Sequence, residues 1–182
     1  MHPLFACSHF HHAPIQYDVR RTPSAQTVMD CTTHFPVPAD TLAQPATDPP
    51  TAAHDQLLLT SHKFPWTIVV KAGSHSPSKK SKLFKWRSSV TGDVITNLDV
   101  LYAIHTTLIS QVTPEEWEKL ENGSKAQRRV ARAYDRRCSV MGGRESGVRR
   151  VDWLGSETHL VGIEVDRSGG GSIGKLVFAH IS

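Results

Sequence analysis

The 182-residue chain carries 21 Lys and Arg against 17 Asp and Glu, a net charge of +4 that is too mild to point to nucleic acid by itself. Its hydrophobic content of 38% is low for a packed chain, so part of it is expected to lie outside a core. No stretch approaches the roughly 20 apolar residues that span a bilayer, the N-terminus lacks the pattern of a secretory signal, and three scattered cysteines (Cys7, Cys31, Cys138) do not make a disulfide framework; a cytoplasmic or nuclear protein is expected, with no membrane partner.

Residues 1–55 hold eight of the eleven prolines, and stretches such as PATDPPTAA have the chemistry of a linker. They predict a Pro-rich, partly disordered arm, with one short strand at 15–19 where Ile15, Tyr17 and Val19 alternate with Gln16 and Asp18. Cys7, His9, His11 and His12 group donors that suit zinc or copper. A structural zinc site needs a second ligand pair at a defined distance, and Cys31 with His34 is the nearest approach to one, so no metal or other cofactor is expected.

From Gln56 the periodicity sharpens. Residues 57–60 and 66–70 read as strands, with Pro65 expected at a strand start or on an edge. A basic hairpin insertion at 71–90 follows, whose second arm, residues 84–90, is expected to return as a partner strand. Val94, Leu98, Leu101, Tyr102, His105, Leu108 and Ile109 then fall at helical spacing, with Thr91 and Asp93 suited to the first turn. Thr113-Pro114-Glu115-Glu116 combines a capping box with a proline at the first helical position. Asn122-Gly123 offers a left-handed stop, and Ser124 with Gln127 opens a helix to about Cys138. Three β-runs close the chain, at 149–154, 159–166 and 175–181. The pattern predicts a single α+β domain over residues 56–182, with a mostly antiparallel sheet and a middle block of three helices packed on it.

Several strings carry a resemblance in this order: KFPWTIVVKAG, TGDVITNLDVLYAIHTTLISQVTPEEWEKL, VARAYDRRC, VRRVDWLGSETHLVGIEVD and LVFAHIS. Together they resemble an uncharacterised domain family found mainly in basidiomycete fungi and classed as a domain of unknown function. The order and spacing match from about Gln56 to the last residue, and HPLFA and APIQYDVRRTPSA are similar to that family's opening. The resemblance implies a shared fold and no activity, and it brings no catalytic residues. The segment SHSPSKKSKLFKWRS is longer and more basic than the family pattern.

Two basic elements could bind a partner. Lys79, Lys80, Lys82, Lys85 and Arg87, interleaved with Phe84 and Trp86, could pair with phosphates while the rings stack on bases; the same composition also makes an ordinary solvated loop tip. On the later helix, Arg128, Arg129, Arg132 and Arg136 share one arc, fit for bidentate contact with carboxylates or phosphates, and equally a common way to solvate an amphipathic helix. Gly169-x-Gly171-x-x-Gly174 matches the dinucleotide fingerprint in letters alone, because a strand follows where a helix N-terminus is required. No nucleophile motif is present, although His105, His159 or His180 could meet Asp99, Asp152 or Glu164 in space. The expected function is non-catalytic binding of an acidic protein surface or nucleic acid through the basic elements. The alternatives are an enzyme or small-ligand binder with a pocket between helices and sheet, and a scaffold without a ligand.

Overall fold

Alternation of side chains sets each strand with one face inward. Ile15 and Tyr17 are buried in β1 (Ile15–Asp18) while Gln16 and Asp18 face outward, and β2 (Val28–Asp30) pairs beside it. Leu57 and Leu59 point inward from β3 (Leu57–Ser61), as do Phe64, Ile68 and Val70 from β4 (Phe64–Val70). The pattern recurs in β6 (Ile173–Ala179), while in β5 (His159–Val165) it slips by one residue where Gly162 and Ile163 are both buried. The computed structural model describes residues 1–6, 15–74, 94–165 and 173–180. Cys7, His9, His11 and His12, the hairpin residues Lys79, Lys80, Lys82, Lys85, Trp86 and Arg87, and Thr91 and Asp93 lie outside them.

The six strands form one sheet in the order β2-β1-β5-β6-β3-β4. It is mixed and mostly antiparallel: β3 and β6 run parallel, with Leu58 opposite Ile173, and the other neighbouring pairs run antiparallel. Helices pack beside this sheet, so the fold is α+β. Pro65 is the second residue of β4, which is an edge strand among the described residues, where a missing N–H is tolerated.

The described residues form four α-helices, one more than the sequence pattern predicts; the extra one, α1 (Ala39–Leu42), lies in the proline-rich segment. α2 (Asn97–Ile109) starts later than expected, because Val94 and Ile95 are held by backbone contacts to Ala52 and Thr51. Thr96 is its cap: the Asp99 N–H donates to Thr96 Oγ1 (3.2 Å) and the Thr96 N–H to Asp99 Oδ2 (3.0 Å). The same reciprocal box joins Thr113 and Glu116 at α3 (Pro114–Glu118). α4 (Lys125–Met141) is capped by Ser124, whose Oγ accepts the Gln127 N–H at 3.0 Å, and it ends at Gly142, with φ of 70°.

Residues 149–154 correct the sequence reading. They are apolar enough for a strand, yet Arg150–Leu154 is a 3₁₀ helix. The Asp152 carboxylate accepts the Arg149 N–H (2.9 Å) and is gripped by Arg137 of α4, which curls the segment under that helix instead of extending it beside β5.

The N-terminal segment also reaches the core. Phe5, Ile15, Tyr17, Val19 and Val28 are fully buried, and the Phe5 carbonyl accepts the Ile163 N–H at 2.7 Å. Gly174 marks the tightest packing: a Cβ there would fall 2.7 Å from Ile163 Cγ2 and 2.9 Å from Leu59 Cδ2. Both neighbours are buried and Ile163 is stiff at its branch point, so Gly174→Ala is expected to destabilise by roughly 1–3 kcal/mol, measured as a lower urea midpoint at constant m.

Candidate functional site

The register of three strands gathers polar groups at one end of the sheet. Asp18, the last residue of β1, lies opposite His159 at the start of β5, and His159 lies opposite Ala179 of β6, which His180 follows. Arg20 turns back onto Asp18 just beyond β1, with Nε 2.9 Å from Oδ1 and Nη2 2.8 Å from Oδ2. The last turns of α4 cross above with Arg136, Arg137 and Val140. Arg20, His159 and His180 line a cleft of about 260 Å³ with these α4 residues, and Asp152, Gly155 and Thr158 complete its wall.

Opposing effects set the charge of each group. Burial pushes the Asp18 carboxyl up, but the hydrogen bonds and charge of Arg20 outweigh it and hold the group below the usual range. Burial pushes the His159 imidazole below its ordinary value; Arg20, His180 and Arg21 push the same way, and Asp18 opposes them. His159 Nδ1 is buried and has no hydrogen-bond partner among the described residues. Asp152 is spoken for: Arg137 Nε and Nη2 donate to its two oxygens at 2.9 and 3.0 Å, and Arg137 Nη2 also donates to the Gly147 carbonyl at 2.9 Å. Hydrogen bonding to Asp152 raises the Arg137 pKa against its burial. The aliphatic stem of Arg129 lies against Gly155 at the rim, 3.9 Å from where a Cβ would stand.

The arginine stripe is outward-facing. Arg128, Arg129, Arg132 and Arg136 are all exposed on α4, and Arg132 Nε donates to the Arg128 carbonyl at 3.2 Å. Among the described residues none of the four pairs with a carboxylate, while Asp135, the acid of this helix, lies 3.9 Å from Arg144. Val140 and Met141 are exposed at the same helix's end.

The histidine–acid pairs take other roles. His105 is buried and hydrogen-bonds the Val19 carbonyl through Nδ1 at 2.9 Å. Asp99 caps α2, and Glu164 lies 3.8 Å from Lys175. His159 and His180 do share the cleft with Asp152, but its carboxylate serves Arg137 and the Arg149 N–H. Gly174 lies inside β6, where no helix N-terminus can face a phosphate. Cys31 and His34 belong to the turn after β2, and no group of three or more His, Cys, Asp or Glu able to hold a metal occurs among the described residues.

Asp18, Arg20 and Arg137 are absent from the sequence-derived site. For Arg137 a signal existed: it shares a face with Val130 and Ala133 at helical spacing, and a charge on an apolar face needs a buried partner. For Asp18 and Arg20 there was none, since their role depends on strand order. No helix among the described residues is long and apolar enough to cross a membrane. No curated protein and no solved structure matches the chain. Residues 15–171 match the model of a family of unknown function, DUF6699.

Proposed function

Because the chain belongs to the DUF6699 family of unknown function, we propose its role from geometry: non-catalytic binding of an acidic protein segment on the arginine face of α4. The observation that carries it is the row of four exposed guanidiniums, Arg128, Arg129, Arg132 and Arg136, with no carboxylate partner among the described residues. Guanidinium forks match carboxylates in geometry. Val140, 82% exposed, adjoins the face with apolar surface, which suits a peptide of acidic and aliphatic residues better than a phosphodiester backbone. Arg137 holds the helix from beneath through Asp152, so the face is presented on a fixed element.

The test compares a labelled peptide of alternating Glu and Leu with an oligonucleotide of equal charge, at physiological salt. The peptide is expected to bind more tightly, and Arg128→Glu with Arg132→Glu to weaken it by about tenfold or more, with the melting temperature kept because both side chains are exposed. Tighter oligonucleotide binding, or peptide affinity unchanged by the reversal, would refute the reading. Charge reversal at Lys79, Lys80, Lys82 and Lys85 then measures what share the hairpin cations take in the same binding.

A further inference from the structure

We infer that the cleft between the C-terminal turns of α4 and the β1–β5–β6 end of the sheet is a binding site for a compact dianion of the phosphate monoester class, held by Arg20, Arg136, His159 and His180. The site differs from the outer face of α4, with Arg136 at the boundary between them.

Charge supports a dianion. Arg20, Arg136 and Arg137 line the cleft against one lining carboxylate, Asp152, with Asp18 held beside it by Arg20. Three lining cations against one lining carboxylate leave two positive charges, or one when Asp18 beside Arg20 is counted as well. Neither carboxylate repels an incoming anion at full strength, since Asp18 is chelated by Arg20 and Asp152 by Arg137. A donor is also available: Arg136 lines the cleft and has no carboxylate partner among the described residues, and the His159 and His180 rings line it beside Arg136. Size restricts the ligand. At about 260 Å³ the cleft lies just under the roughly 300–1,000 Å³ of drug-sized ligand sites, enough for a phosphate and a few attached heavy atoms.

The groups around His159 are Asp18 at the end of β1, Arg20 and Arg21 in the turn after it, His180 just beyond β6, and, across the cleft, Arg136 and Arg137 of α4 and Asp152 of the 3₁₀ helix. Arg20 and Arg21 disfavour a protonated ring and Asp18 favours it. A bound dianion would add to Asp18, so anion binding and imidazole protonation should reinforce each other.

Titration calorimetry with the full chain and inorganic phosphate tests the site. Phosphate is expected to bind the unaltered protein, and His159→Gln and Arg136→Gln each to weaken it by about tenfold. Lys125→Gln, about 16 Å away along the same helix, should leave the affinity unchanged. Arg136 is exposed, so its variant remains informative even if the His159 variant folds poorly. Sulfate, which keeps its charge, should bind more tightly as pH falls from about 8 to about 5 and the His159 imidazole gains a proton. Free O-phosphoserine compared with a phosphoserine peptide distinguishes a small-molecule source from a modified protein, tighter binding of either than of its unphosphorylated form being in favour. No phosphate binding, phosphate affinity unchanged in both cleft variants, or sulfate affinity flat with pH would overturn the assignment. Peptide docking on Arg128 and Arg132 is read separately, so either proposal can fail alone.

Discussion

Arg137→Ala is expected to lower the unfolding free energy by about 3–5 kcal/mol, read from urea denaturation at constant m. The cost arises mainly from what is left behind. Asp152 is 2% exposed, and with Arg137 truncated its carboxylate keeps only the Arg149 N–H among its two strong partners. The Gly147 carbonyl loses a donor at the same time, and Tyr134 loses a guanidinium lying 5.5 Å from its ring centroid. A second variant separates the worth of the pair from the penalty of an orphaned charge. Replacing both partners by apolar residues of similar size, Arg137→Met with Asp152→Leu, should cost much less than the single change, because no charge stays buried. If the single variant lost less than about 1 kcal/mol, in the range of exposed pairs, Asp152 would have to be reached by water. The pair also joins α4 to the 3₁₀ helix that floors the cleft, so the single variant should weaken phosphate binding even at temperatures where it remains folded.

Local signals were readable where one short motif carries the whole decision. The Thr113–Glu116 box and the Ser124 cap each depend on atoms no more than three residues apart, and both helices begin where those residues indicate. The Thr96-x-x-Asp99 box is equally local, but the apolar spacing extends back to Val94 and points instead to Thr91 and Asp93. What stops the helix there is a long-range contact, the Ile95 N–H donating to the Thr51 carbonyl. Residues 149–154 show the same limit from the other side. Val151, Trp153 and Leu154 have strand propensity, but a carboxylate two elements away from its partner in the fold decides their conformation, and propensity is a weak prior against such a tertiary tie.

In the N-terminal third composition and pattern point different ways, and the alternation at 15–19 predicts the strand that forms as β1. Proline and threonine density there is linker-like, yet Phe5, Tyr17 and Val28 are fully buried and β1 lies between β2 and β5. Few apolar residues suffice because the sheet supplies the rest of their surroundings, a circumstance that no window of the sequence contains. The cleft was hidden for a related reason. Its residues come from position 20, from 133–140, from 151–159 and from 180, and the order β1-β5-β6 makes neighbours of the strand residues among them. The arginine stripe, in contrast, lies within one helix, and its 100° arithmetic needed nothing else.

Trp153→Ala is expected to cost about 3–5 kcal/mol, the usual range for removing a large aromatic side chain from a core. Trp153 is 4% exposed and stands between the sheet and the helices: its ring lies 5.5 Å from Trp66 at 68° and 6.2 Å from Trp117 at 76°. Trp66 in turn stacks on Phe64 at 4.9 Å, and Arg150 lies over its ring at 5.1 Å while pairing with Glu116 of α3. Removing the central ring therefore opens a void and releases two edge-to-face contacts, each worth about 0.5–1.5 kcal/mol beyond buried area. Trp153→Phe keeps a ring in the gap and should cost less than half as much, with the near-ultraviolet dichroism of Trp66 and Trp117 largely retained. The local consequence should fall on α3. That helix has no fully buried residue of its own and is held by Trp117 against Trp153 and by Glu116 against Arg150. Hydrogen exchange in α3 should accelerate more than in α2, whose Leu101, Ile104 and Leu108 are buried independently of that ring. Equal acceleration in both helices would mean that the aromatic cluster anchors the whole helical layer, and α3 would then have no local unfolding of its own.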